Sequence, residues 1–156
     1  MSPGSAGLSV RKTARYAGED RGSLHYDALN SYGSPSYYTQ VMFASCLGDH
    51  IASSELSGTG IKFFVSATMT AKSKACVKLV NAASTPQPVS MTLTGLGSGT
   101  HTAKVEILRA NTTWATNSIT EPNRIVPVSS KLAISGEKLQ QTLPPYSIQV
   151  LEIDLK

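Results

Sequence analysis

Few side chains in this 156-residue chain have both the type and the spacing for chemistry. Among ten carboxylates, Glu152 and Asp154 form one close pair, two residues apart and therefore on one face of an extended strand. Paired carboxylates can divide general-acid and general-base work. These two sit among Ile148, Val150, Leu151, Ile153 and Leu155, so the expected role is an outward, solubilising one. His25, His50 and His101 have no second His, Cys or carboxylate at the spacing a zinc site requires. Asp49-His50 reads as an ordinary turn after a helix, and no metal is expected. There is no G-x-S-x-G nucleophile elbow, and the run Gly95 to Gly99 has no following Lys-Ser/Thr. That run reads as a hairpin tip rather than a phosphate cradle, and no cofactor is expected.

Cys46 and Cys76 are too few for a disulfide framework. A single bridge is open to them if their Cα atoms fall within about 7 Å, while two buried free thiols are the expectation. Asn111-Thr112-Thr113 is an N-glycosylation sequon, with meaning only in a chain that a eukaryote secretes.

The elements that must carry these residues are legible from pattern. Ser34 is the expected N-cap of a helix with Pro35 at its first position, where the missing N–H costs nothing. Gly48 stands where a left-handed C-terminal cap belongs. Between them Tyr38, Val41, Met42 and Cys46 make an apolar stripe, with Tyr37 and Phe43 off it. Such a helix is buried on more than one side, and left alone it would open one side to water. From Ile61 onward short alternating runs are broken by Ser57 to Gly60, Pro86-Gln87-Pro88, Gly95 to Gly99 and Pro144-Pro145. Strands are expected over 61–70, 75–82, 87–94, 101–109, 125–134 and 147–155, with weaker ones over 113–119 and 138–142. The fold class is all-β: an antiparallel, jelly-roll-like β-sandwich preceded by one α-helix and a flexible N-terminal tail over residues 1–25.

Charged residues make up 15% of the chain and the net charge is +4, with basic residues clustered only at Arg11, Lys12 and Arg15. No basic stripe interleaves with aromatics, so nucleic acid is not an expected partner. No apolar run approaches the roughly 20 residues of a membrane span, and the first residues lack the apolar core of a secretory leader.

The segment Asp27 to Asp49, with the phrases KLVNAASTPQPVSMTLTGL, ATNSITEPNRIVPVSS and LPPYSIQVLEIDLK, resembles the C-terminal end of an α-L-arabinofuranosidase of glycoside hydrolase family 51. The resemblance covers roughly residues 26–156. It implies three parts: a tail over 1–25 without a match, a helix over 26–50 from the end of a catalytic barrel, and a C-terminal sandwich over 51–156. It implies a parent enzyme, exported to act on plant polysaccharide, that removes terminal α-L-arabinofuranosyl groups from arabinoxylan or arabinan with retention and without a cofactor. Retention needs two carboxyl groups about 5–5.5 Å apart. In this family both are barrel glutamates, the acid/base one following an asparagine, and no Asn-Glu pair occurs here. No catalytic residue is therefore assigned, and Asp27 is read as a cap or turn residue. The implied partner is the barrel itself, with homo-oligomers through an open sheet edge as a further expectation. The alternative is a stand-alone carbohydrate-binding module. Trp114 is its candidate substrate-binding residue, because sugar C–H faces stack on rings, although packing under the 111–117 loop is the expected fate of that ring.

Overall fold

The computed structural model describes residues 24–26, 31–58, 62–70 and 74–155. Of the expected tail, residues 1–23 lie outside the described residues, as does Asp27, whereas Leu24 and His25 belong to a strand. That strand, β1 (Leu24–Tyr26), pairs antiparallel with β2 (Ser31–Gly33) in a two-stranded ribbon that no periodicity had signalled. Helix α1 (Pro35–Ser45) follows at once. Then come β3 (His50–Ile51), β4 (Phe63–Thr70), β5 (Lys74–Asn81), β6 (Gln87–Thr92), β7 (Thr100–Arg109), β8 (Val128–Ser135), β9 (Lys138–Leu143) and β10 (Ser147–Asp154). The architecture is the expected all-β one, with a single helix among the described residues.

These eight strands are hydrogen-bonded in the order β3-β4-β5-β10-β7-β8-β9-β6, every pair antiparallel. β8 and β9 share only the pair Ser135–Lys138, so the sheet folds over at that corner and lays β9 and β6 across the rest. Strand alternation decides what fills the gap. Val77, Leu151 and Val105 stand in one cross-strand row of β5, β10 and β7, and all three are buried. Leu79, Ala103, Ile134 and Ile153 join them, and Leu139 and Leu143 of β9 close the core from the opposite layer. One polar pair enters this interior. Gln149 of β10 and Gln141 of β9 exchange amide hydrogen bonds of 2.8 and 3.2 Å, so a buried amide is satisfied rather than orphaned.

Two turns are locked by a second buried amide. Asn81 donates through Nδ2 to the carbonyls of Thr85 (2.9 Å) and Pro144 (2.8 Å), while its Oδ1 accepts from Ala83 N (3.0 Å). The end of β5 is thereby tied to the turn that launches β10. In that turn Tyr146 takes a positive φ of 46°, a costly conformation for a non-glycine residue, held by Tyr146 N donating to Ala83 O and Tyr146 O accepting from Ala110 N.

Three expectations are corrected here. The Gly95 to Gly99 run is no hairpin tip, because β6 and β7 are not neighbours; it carries the chain from an edge strand to an interior one. It is pinned by Glu137, whose carboxylate accepts from Gly95 N (2.8 Å) and Gly97 N (3.4 Å). Residues 113–119 form turns and loop rather than a strand, and β8 begins at Val128 rather than 125, because Ser118, Glu121 and Arg124 close local turns instead of a ladder.

Leu151, wholly buried between two strands, sets the expected cost of opening this core. Leu151→Ala should lower unfolding free energy by about 2–5 kcal/mol. Val128→Ala, at a position 59% exposed, should stay within about 0.5 kcal/mol. Urea unfolding of the two variants, read as midpoint shifts at constant slope, checks the contrast.

Candidate functional site

The outer face of the sheet changes character along its strands. On β10, Ile148 and Val150 point outward near its start, and Glu152 and Asp154 near its end. The apolar half is covered by α1. Met42 and Cys46 of the helix are buried there against Cys76, Leu108 and Val150, with Tyr38, Phe43, Ala110, Ala115, Ile125 and Ile148 around them. The Lys78 ammonium lies 5.2 Å over the Phe43 ring.

The helix is set on this face by its ends. Ser34 Oγ accepts from Tyr37 N at 3.1 Å, the expected N-cap, with Pro35 behind it. A Cβ at Gly33 would meet Tyr37 Cδ1 at 2.5 Å, so only glycine lets the tyrosine ring lie over the entering chain. Asn117, 1% exposed, reaches in from the loop between β7 and β8. Its Nδ2 donates to Gly33 O (2.8 Å) and Ile125 O (2.9 Å), and its Oδ1 accepts from Ile125 N (2.7 Å). All the hydrogen-bonding of one side chain thus joins the loop to the helix entrance.

The other end corrects two expectations. The helix stops at Cys46 rather than in a left-handed turn at Gly48. Gly48 is needed for a different reason: a Cβ there would stand 2.7 Å from the backbone of Met69, and that close approach allows Asp49 N to donate to Met69 O at 2.9 Å. Cys46 and Cys76 are not free thiols. They form a disulfide with Cα atoms 5.7 Å apart, across a sequence separation of 30 residues. The helical stripe brings Cys46 down onto the outward side of β5, where Cys76 points. Neither cysteine has a local partner, so only the docking of helix on sheet reveals the pair.

Where the strands turn polar, chemistry is neutralised by lysines. Glu152 accepts a hydrogen bond from Lys74, and Asp154 lies 4.0 Å from the same ammonium. Lys104 lies 3.0 Å from Glu106. The hydrogen bond that Lys74 donates to Glu152, then the charge of that carboxylate, hold the Lys74 ammonium above its ordinary 10.5, and Glu106 does the same for Lys104. A lysine raised in this way contributes fully below 10.5 and loses its contribution only as pH climbs above that value, so neutral pH leaves these pairs intact. Exposed pairs of this kind add little stability. His50 stands in β3 opposite Met69, not in a turn, and His101 stands in β7 opposite Ile134. Among the described residues no three His, Cys, Asp or Glu side chains gather as a metal site would need. An open groove of about 430 Å³ along β6 and β9 is lined by Pro88, Val89, Ser90, Gln140, Gln141 and Thr142, with no carboxylate, thiol or imidazole.

Around the helix several large apolar side chains stay open. Val41 is 46% exposed, off the buried part of its stripe, and Leu47 and Ile51 are more exposed still. Ile51 sits opposite Thr68, which sits opposite Cys76, so Ile51 and Phe64 share the face on which the helix lies. Trp114 corrects the expectation of a packed ring. It is 90% exposed, while its neighbour Ala115 takes the place beneath the loop against the helix.

Comparison with known proteins gives a consistent picture. The family model described as Alpha-L-arabinofuranosidase C-terminal domain matches residues 22–147. Alpha-L-arabinofuranosidase 1 of Arabidopsis thaliana is 26% identical over 137 residues, a match covering 84% of this chain and 20% of that protein. Alpha-L-arabinofuranosidase 2 of the same plant is 28% identical over 135 residues, with the same coverage of each chain. The arabinose-bound MgGH51 α-L-arabinofuranosidase superimposes with a TM-score of 0.79 at 26% identity, covering 88% of this chain and 22% of that one. The chain thus spans about a fifth of the length of the relatives it matches.

Closing a loop of this separation stabilises a fold by about 3–4 kcal/mol in the chain-entropy estimate. Cys46→Ser combined with Cys76→Ser should lose about that much in urea unfolding. Reductant should produce the same loss in the unaltered chain and none in the double variant. An unaltered chain whose midpoint ignores reductant would contradict the bond.

Proposed function

We propose, because this chain belongs to the α-L-arabinofuranosidase C-terminal domain family, that it serves as the non-catalytic supporting domain of such an enzyme. The observation that carries the reading is the apolar surface around helix α1: covered and bonded on its sheet side, the helix leaves Val41 open, and Leu47 and Ile51 are exposed in the chain just beyond it. An apolar face of this kind calls for a cover, and the catalytic barrel of the parent enzyme is the cover proposed. In that parent a barrel carries the two carboxyl groups that retaining hydrolysis of terminal α-L-arabinofuranosyl residues requires. Here the candidate acids lie on a lysine-paired strand face, which supports a structural rather than a catalytic role.

A second reading, a stand-alone carbohydrate-binding module, is favoured by one observation: Trp114 presents its ring to solvent. Titration with arabinoxylan oligosaccharides separates the two. Binding that disappears with Trp114→Ala supports the module, and absence of binding leaves the supporting role.

The purified chain is expected to hydrolyse p-nitrophenyl α-L-arabinofuranoside no faster than buffer does. Turnover that survives repurification would place catalytic carboxylates in this chain and overturn the reading. Without its cover the chain should also self-associate in sedimentation as concentration rises. Leu47→Glu should weaken that association at least about tenfold, a change of about 1.4 kcal/mol. A clean monomer at high concentration would argue against an open docking face.

A further inference from the structure

We propose that Asn111 is an N-glycan acceptor, modified while the chain passes through the oxidising compartment in which the Cys46–Cys76 bond forms. Two independent observations meet in this proposal. The first is the acceptor itself. Asn111, Thr112 and Thr113 satisfy the Asn-x-Thr pattern, and all three are exposed in the turn that follows β7. The turn is fixed at both shoulders. Ala110 N donates to Tyr146 O at 3.1 Å, and Ala115 N donates to Thr112 O at 3.3 Å. Ala110 and Ala115 face the helix cluster, which throws residues 111–114 outward. The contrast with other asparagines is informative. Asn81 and Asn117 are buried, with both ends of their amides engaged. Asn111 is exposed, and its amide has no hydrogen-bond partner among the described residues.

The second observation is the disulfide. Both cysteines are 3% exposed, and the bond closes the helix onto the sheet. Structural bonds of this kind form and persist in oxidising compartments and are rare where thiols are kept reduced. In eukaryotic cells the oxidising compartment of the secretory route is also where oligosaccharide is transferred to sequons. The bond therefore supplies what the sequon alone lacks, the right place for its use.

The transfer balances without oxidant or metal from this chain. Nδ2 of Asn111 attacks C1 of the reducing-end N-acetylglucosamine of a lipid-pyrophosphate-linked oligosaccharide. The C1–O bond to pyrophosphate breaks, the lipid pyrophosphate leaves with the electron pair, and the amide nitrogen gives up one proton.

The test is expression of the full chain behind a secretion leader in a eukaryotic host. Electrophoretic mobility is read before and after peptide N-glycosidase, with mass mapping of residue 111. The unaltered chain should carry a glycosidase-sensitive shift that Asn111→Gln and Thr113→Ala abolish and Thr113→Ser retains. Because transfer acts on the emerging chain, the fraction retained inside the cell reports acceptor use even for a variant that fails to fold. An unshifted chain in both the secreted and the retained fractions would overturn the proposal. Thiol labelling under denaturation reads its other half: the glycosylated chain should show no free thiol. Glycan on a chain with two reactive cysteines would break the link to the disulfide.

Discussion

An eleven-residue helix is marginal in water by itself, so everything on the outer face of this sheet depends on how α1 is held there. Four separate contacts hold it. Ser34 caps its first turn, Gly33 and Gly48 let backbone and rings approach at its two ends, Asn117 binds the covering loop to its entrance, and Cys46 bonds its last turn to β5. The covalent bond differs from the rest in kind, because it limits how far the helix can stray in the unfolded chain as well as in the folded one. With the helix in place, Ile148, Val150 and Leu108 lie in an interior; without it they would be exposed sheet surface.

The same strands serve both sides of this arrangement. β10 lends its inward row to the sandwich core, the first half of its outward row to the helix and the second half to lysine-paired carboxylates. The division fits the supporting role proposed above. Its one covered outer region carries the element that offers an apolar face, and its charged region stays in water.

Much of this was legible because it rests on short-range pattern. Alternation in Ser147 to Leu155 marks β10, and the Ser34-Pro35 pair marks the helix start at the observed residue. Four ordered phrases were enough to point to the family that the comparison then found. What stayed hidden depends on contacts between distant residues. A cysteine in a helix and another in a strand look alike whether free or bonded. Asn117, flanked by Thr116 and Ser118, looks like any loop asparagine until its three partners are known. Gly48 looks like a helix cap, and the strand it makes room for lies twenty residues on. Trp114 failed in the opposite direction, since size argues for burial, while Ala115 had already filled the space beneath the loop.

The position of β10 has a consequence for synthesis. It is the last of the described strands in sequence, yet it lies in the middle of the sheet, with β5 on one side and β7 on the other and no direct pairing between those two. A ribosome adding about 5–20 residues per second releases both flanking strands well before the one that joins them. Until Ser147–Asp154 emerges, the nascent chain holds two half-sheets with unsatisfied edges and exposed Val, Leu and Ile rows. Such a chain cannot fold progressively from its beginning. It needs shelter from aggregation until that strand is in place.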